Sequence, residues 1–276
     1  MSDYQALTQW FRDAGSALVA FSGGVDSTLL AHAAQEALGE QCVAVTAVSA
    51  SLAPRELDEA RELAARINIS HRLESSSETS LPQYLVNDSD RCYHCKTELY
   101  TICSRVAREM DLAVIVNGLN TDDLSDHRPG NQAADEAGVR SPFVELGFDK
   151  AAIREHSRRL GLPTADKPEL ACLASRFPTG TPITISSLEQ VAAAEETVAQ
   201  LGFSQYRVRF HGELARIEIP ASEIERLADD SIRERLLAGV REAGFRFVTL
   251  DLAGYARGSS NPVAMGRAAG VDDEIR

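Results

Sequence analysis

Ser22, Gly23, Gly24, Asp26 and Ser27 fall in one short stretch, Phe21-Ser22-Gly23-Gly24-Val25-Asp26-Ser27, between the apolar run Leu18-Val19-Ala20 and an expected helix over Thr28 to Leu38. Two adjacent glycines let the backbone turn tightly. Two hydroxyls and successive amide N–H groups at a helix N-terminus can then surround phosphate oxygens. The chemistry is that of a pyrophosphate cradle. The loop has no lysine of its own, unlike G-x-x-x-x-G-K-[ST], whose lysine reaches the terminal phosphates of a nucleotide.

Sulfur forms the second reactive set. Cys92 and Cys95 stand in Asp90-Arg91-Cys92-Tyr93-His94-Cys95-Lys96, just before an expected helix, and Cys172 lies in the segment from Lys167 to Pro178. A C-x-x-C pair can share a metal, a cluster or a disulfide, and a helix N-terminus is expected to lower the thiol pKa values. Three thiolates can hold three irons of a cubane and leave the fourth iron open for an extra sulfide. Tetrahedral zinc in a structural site wants a fourth ligand, for which His94 is the neighbour at hand. From the pair alone, a cluster or zinc, a redox dithiol and unliganded thiols all stand. Cys42, in an apparent buried strand, and Cys103, in a helix, are read as small hydrophobes. His32, His71, His127, His156 and His211 show no ligand spacing.

The elements that position these residues alternate in the first half of the chain. Strands are expected at Leu18 to Phe21, Cys42 to Ala47, Ser70 to Glu74 and Val114 to Asn117. Helices are expected at Thr28 to Leu38, Pro54 to Ile67, Lys96 to Met110 and Lys150 to Leu160. That rhythm predicts an α/β fold with a parallel sheet covered by helices on both faces. Ligands then sit beyond the carboxyl ends of the strands, so the first loop and Gly118 to Gly130 share a rim. A long irregular segment, Thr164 to Thr184, leads to a smaller C-terminal α+β domain. Its expected elements are helix Ser187 to Leu201, a hairpin of Tyr206 to Phe210 with Leu214 to Ile219 turning at His211-Gly212, helix Ser231 to Ala243 and strand Phe247 to Leu252. The expected domains are 1–165, a cysteine-bearing loop 166–184, 185–262, and a frayed tail 263–276.

With 276 residues and 44% hydrophobic content, the chain can bury a substantial core. A net charge of −13 argues against general nucleic-acid binding, which needs clustered lysine and arginine. No segment approaches the length of a membrane span and no apolar leader is evident, so a cytoplasmic protein is expected. Five cysteines, an odd number, point to reduced thiols or to metal or sulfur chemistry more than to a disulfide framework.

The loop resembles that of the ATP-pyrophosphatase (PP-loop) superfamily, whose members split ATP between the α and β phosphates. Six motifs in order narrow the likeness: S-G-G-V-D-S at Ser22 to Ser27, R-C-Y-H-C-K at Arg91 to Lys96, D-H-R-P-G at Asp126 to Gly130, C-L-A-S-R-F-P at Cys172 to Pro178, R-V-R-F-H at Arg207 to His211 and A-R-I-E-I-P at Ala215 to Pro220. Together they resemble the LarE family, ATP-dependent sulfurtransferases that act in building the nickel-pincer nucleotide of lactate racemase.

The resemblance implies an adenine-nucleotide alpha-hydrolase-like sheet and a two-step reaction. ATP adenylates a carboxylate of pyridinium-3,5-biscarboxylic acid mononucleotide and releases pyrophosphate, and a sulfur nucleophile displaces AMP to leave a thiocarboxylate. Ser22, Gly23, Gly24 and Ser27 would bind ATP and its departing pyrophosphate, with Asp26 orienting Mg²⁺ or its waters. Cys92, Cys95 and Cys172 would ligate a [4Fe-4S] cluster carrying the transferable sulfide; in the alternative, Cys172 surrenders its own sulfur. Arg207 and Arg209, alternating on one strand face, would clamp the substrate phosphate, and Ser175 and Arg176 would help hold nucleotide or substrate. Glu195 and Glu218 match positions near that phosphate and a divalent ion, although the acidic residue expected near Arg226 is missing. Asp122, Asp123, Asp126 and Arg128 would frame the site. Family members form oligomers, so a homo-oligomer working beside other nickel-pincer enzymes is expected.

Three other readings compete. An amide-forming ligase of the NAD or GMP synthetase kind shares the loop but has no use for three placed cysteines. A transfer-RNA thiolase combines loop and cysteines, but the acidic charge and the absence of an obvious RNA-binding extension stand against it. A non-enzymatic adenine-nucleotide or zinc module would bind ATP without releasing pyrophosphate.

Overall fold

Apolar runs in the first half of the chain become four parallel strands, β1 (Ala17–Ala20), β2 (Cys42–Val48), β3 (Ser70–Ser75) and β4 (Val114–Val116), in the order β3-β2-β1-β4. The computed structural model describes residues 3–125, 129–168 and 171–256. Asp126 and Arg128 of the expected site frame, with His127 between them, Glu169 and Leu170 of the cysteine-bearing loop, and the tail 263–276 lie outside the described residues.

The chain divides into two compact units, Met1–Cys172 and Leu173–Arg276. In the first, helices α1 (Tyr4–Ala14), α2 (Val25–Leu38), α3 (Pro54–Ile67), α4 (Pro82–Val86), α5 (Arg91–Glu109), α6 (Pro129–Glu136), α7 (Pro142–Glu145) and α8 (Lys150–Arg159) accompany the sheet. Alternation along β1 divides the core. Ala17 and Val19 pack with Leu7, Phe11, Leu29, Leu30, Phe143 and Ile153 on one face, and Leu18 packs with Val43, Val45, Ile102, Cys103 and Val106 on the other. Cys42 and Cys103 are buried core residues, and burial pushes their thiols up to about 11 and about 12.

Strand order reverses at β1, which pairs with β2 on one side and β4 on the other. In an open α/β sheet, that switch point opens a crevice at the carboxyl ends of the two strands. The loops after β1 and β4 meet there. A Cβ on Gly118 would lie 2.9 Å from Asp26 Cβ and 3.2 Å from Ser27 N, so only glycine permits this approach.

The second unit contains α9 (Ile185–Gln200), β5 (Arg207–His211), β6 (Leu214–Glu218), α10 (Asp230–Glu242) and β7 (Phe247–Leu250). β5 and β6 form the expected antiparallel hairpin, and β7 joins β6 in parallel, giving a mixed three-stranded sheet. Thr184 and Ser187 close a capping box at the start of α9. Among the described residues, no helix is long and apolar enough to cross a membrane.

Several elements differ from expectation, among them the short helices α4, α6 and α7, which are not expected. α5 begins at Arg91 and not at Lys96, so Cys92 and Cys95 lie in its first turns and not ahead of it. α1 is not among the expected elements. Its fully buried side chains, Leu7 and Phe11, are too sparse to mark a periodic run in so polar a stretch.

Candidate active site

The loop after β1 is fixed at its root. Phe21 N–H donates to Val45 O at 2.8 Å, and Thr46 Oγ1 donates to Phe21 O at 2.7 Å. Gly23 then takes φ +70, a left-handed conformation open to glycine, and a Cβ there would press on Ala60 at 3.3 Å. The backbone turns into the N-terminus of α2, capped by Gly24. Ser22 Oγ and Ser27 Oγ lie 3.1 Å apart, and Gly24 N–H points to Ser22 Oγ at 3.4 Å. Two hydroxyls, the loop amides and the positive end of α2 thus gather into the anion cradle.

The fold adds cations that the loop itself lacks. Lys150, first residue of α8, donates to Asp26 Oδ1 at 2.8 Å and Oδ2 at 2.7 Å, while Asn120 Nδ2 reaches Asp26 Oδ1 at 3.4 Å. Asp122 accepts the Lys150 backbone N–H at 3.0 Å, and Asp123 accepts from Asn120 N at 3.3 Å. Both aspartates therefore brace the rim on which Lys150 stands. Lys167 Nζ donates to Gly23 O at 3.1 Å.

Cys92, Cys95 and Cys172 share one electrostatic neighbourhood within the first unit. Desolvation, Glu78 and Cys172, in that order, push the Cys95 thiol up to about 12. The expected lowering by the helix N-terminus is overturned for Cys95: desolvation and nearby negative charge outweigh the dipole. Cations stand close by. Desolvation opposes the Lys96 charge, yet Tyr100 and the three thiols outweigh it and hold its pKa above the ordinary lysine value. Arg91, whose Nη2 lies 3.8 Å from Cys92 Sγ, is likewise raised by Cys172 and Cys92 against desolvation. Glu78 is buried and accepts hydroxyls from Ser49 at 2.6 Å, Ser51 at 2.5 Å and Ser76 at 2.6 Å.

The second unit gathers arginines and glutamates around β5. Arg176 and Glu195 form a buried fork-on-fork pair, Nε to Oε1 at 2.8 Å and Nη2 to Oε2 at 2.8 Å, and Glu195 Oε1 also accepts Val208 N–H at 2.9 Å. Arg209 donates to Glu218 Oε2 at 2.8 Å and to Ser175 O at 2.9 Å, and Ser175 Oγ accepts from Arg176 at 3.0 Å. Arg216 lies 3.3 Å from the other Glu218 oxygen. Arg207 stacks over the Tyr255 ring at 5.3 Å. Burial and the Arg176 charge push the Arg207 guanidinium below the ordinary arginine value, against the pull of Glu195 and Tyr255. Glu195 and Glu218, matched by resemblance to a divalent-ion site, are thus both engaged by guanidinium groups.

Residues 5–124 match the family model of asparagine synthase, a PP-loop match that spans the nucleotide loop. An uncharacterised protein of Synechocystis sp. is 45% identical over 95% of this chain and 98% of its own length. The pyridinium-3,5-bisthiocarboxylic acid mononucleotide synthase of Lactiplantibacillus plantarum is 36% identical over 92% of both chains. The chain belongs to the LarE family. A more distant relative, an uncharacterised protein of Methanocaldococcus jannaschii, is 27% identical over 86% of this chain and 90% of its own.

In this LarE family member, sequence reasoning missed Lys150, Lys167, Asn120 and Glu78. Their partners lie far off in the chain, and no local spacing marks them. The signal available was indirect, since an anion cradle without a lysine needs a cation from elsewhere. The donor chemistry of three thiols with two cations nearby suits an iron–sulfur cluster, but their arrangement is not a ready cage. Among the described residues, no three His, Cys, Asp or Glu side chains form a group that could hold a metal ion.

Proposed function

We propose that this LarE family chain is an ATP-dependent sulfurtransferase acting on pyridinium-3,5-biscarboxylic acid mononucleotide. The observation that carries the reading is the presence, in one unit, of an anion cradle flanked by lysine and three thiols in a common electrostatic field. A carboxylate oxygen of the substrate attacks the α-phosphorus of ATP, and the bond to pyrophosphate breaks. Ser22, Ser27, the Gly23 and Gly24 amides and the α2 dipole receive the charge on the leaving pyrophosphate. Lys150 supplies the cation, leaving Asp26 to orient Mg²⁺ or its waters. A sulfur nucleophile then attacks the acyl carbon and expels AMP, leaving a thiocarboxylate. Arg207 and Arg209 would supply guanidinium donors for the substrate phosphate, with Ser175 and Arg176 beside them in a framework braced by Glu195 and Glu218.

Cys92, Cys95 and Cys172 carry the sulfur chemistry. In this reading they would hold a [4Fe-4S] cluster, which when bound would supply a labile sulfide. Consumption of the Cys172 sulfur is the second reading, favoured by the exposure of that side chain. We place the protein in the reducing cytoplasm, as a homo-oligomer beside the other enzymes of nickel-pincer assembly.

The test is anaerobic purification with iron and sulfide analysis of wild type beside Cys92→Ala, Cys95→Ala and Cys172→Ala, followed by reaction with ATP and the mononucleotide. Brown protein that loses its absorbance in each variant supports the cluster. Colourless wild type whose mass falls by one hydrogen sulfide at Cys172 after turnover supports the sacrificial route. Release of orthophosphate and ADP in place of pyrophosphate and AMP would overturn the sulfurtransferase reading as a whole.

A further inference from the structure

Glu195 and Glu218 stand where the family resemblance implies a divalent ion, but nitrogen donors already hold their oxygens. Glu195 Oε1 accepts Arg176 Nε at 2.8 Å and Val208 N–H at 2.9 Å, and its Oε2 accepts Arg176 Nη2 at 2.8 Å. Glu218 Oε2 accepts Arg209 Nη2 at 2.8 Å, and its Oε1 lies 3.3 Å from Arg216 Nη2. Both carboxylates are buried. A divalent ion takes several oxygen ligands at about 2.0–2.6 Å. To reach either glutamate it must displace a guanidinium from a buried pair or sit at close range against that like charge.

The surrounding charge points the same way. Arg176, Arg207, Arg209 and Arg216 gather around Glu195, Glu218 and Asp251, which leaves positive charge in excess. Burial and the charge of Arg176, joined by the weaker effect of Arg209, outweigh Glu195 and Tyr255 and hold the Arg207 guanidinium below the ordinary arginine value. The further acid that the resemblance implies is replaced by Arg226. That side chain closes the end of α9, donating to Leu201 O at 2.7 Å, Gly202 O at 3.0 Å and Glu223 Oε2 at 2.8 Å, over the Phe203 ring.

We infer that the second unit of this chain holds the substrate phosphate directly on arginine, without the divalent ion that the resemblance implies at Glu195 and Glu218. The inference rests on the mononucleotide substrate proposed above and specifies how its phosphate is bound. A phosphate monoester brings about two negative charges at neutral pH, which suits an excess of guanidinium and needs no bridging cation. Glu195 and Glu218 then serve the arginines, fixing the forks of Arg176 and Arg209 in place. The divalent ion of the reaction belongs to the nucleotide loop alone.

Calorimetry on the full-length protein with the mononucleotide, without ATP and with either EDTA or excess Mn²⁺, tests this. Asp26→Asn is measured beside wild type, since it removes the carboxylate assigned to the ion in the nucleotide loop. It is expected to bind the mononucleotide with the same affinity in EDTA and in Mn²⁺, and any gain with Mn²⁺ in wild type is expected to vanish in it. Arg207→Met is expected to weaken binding about tenfold to a hundredfold in both conditions, the scale of one charge-assisted hydrogen bond. A Mn²⁺-dependent gain that persists in Asp26→Asn overturns the inference and leaves the sulfurtransferase reading standing. Wild-type affinity in Arg207→Met also overturns it. Absence of mononucleotide binding in both conditions removes the proposed substrate, and this inference with it.

Discussion

At Asp26, a carboxylate that would repel an incoming triphosphate is met by the Lys150 ammonium at 2.7 and 2.8 Å. Replacing that cation by an apolar stem leaves the repulsion in place and takes away a partner for the pyrophosphate. Lys150→Met is therefore expected to lower kcat/KM for pyrophosphate formation by about a hundredfold, the usual cost of one transition-state donor. Lys150→Arg should recover part of it, with a pyrophosphate-release assay as the measure. At Glu195 the geometry shows a structural role. Its carboxylate satisfies both forks of Arg176 and the Val208 N–H, all buried. Glu195→Ala takes the carboxylate away from a buried guanidinium and should cost about 3–5 kcal/mol in denaturant unfolding. The gathering of Ser22, Gly23, Gly24, Asp26 and Ser27 was legible in the sequence because the loop is a local device, built from neighbours in the chain. Lys150, Lys167 and Glu78 were not, because each acquires its meaning from a partner brought near only by folding.

At the scale of elements, β2 delivers Thr46 to two duties. Its hydroxyl holds Phe21 O at 2.7 Å and lies 2.8 Å from His71 Nε2 on β3, whose ring meets the edge of Phe21 at 5.5 Å. Burial, and then the charge of Arg61, push the His71 pKa below the ordinary histidine value. The unfolded chain therefore binds this proton at a higher pH than the folded one. The stability that neutral His71 contributes is complete above about pH 6.5 and drains away as pH falls through the folded value. The thermal midpoint should decline between pH 7 and 5, and His71→Gln should flatten that decline; a slope unchanged by the substitution would remove His71 as its source. Most elements were legible from periodicity, with α3 expected over the residues it occupies. The start of α5 was not. Its first turn is polar and cysteine-rich, so apolar spacing gave no sign that Cys92 and Cys95 were already helical.

At the scale of the molecule, the two units hold different groups of candidate residues. The first holds the nucleotide loop and all three cysteines, and the second holds the arginine and glutamate network on its mixed sheet. The α/β class of the first unit followed from strands and helices in alternation, whereas the change of rhythm after Thr184 falls inside the second unit, which begins at Leu173. What alternation could not supply was the parallel pairing of β7 with β6, since the crossover through α10 has no mark in the strand residues themselves. The central claim, that the first unit activates a substrate carboxylate by adenylation, is met most directly by isotope transfer. With ¹⁸O in the carboxylates of the mononucleotide, one labelled oxygen is predicted to appear in the phosphate of AMP while sulfur takes its place in the product. Label found in orthophosphate, or AMP released without any label, would contradict the account.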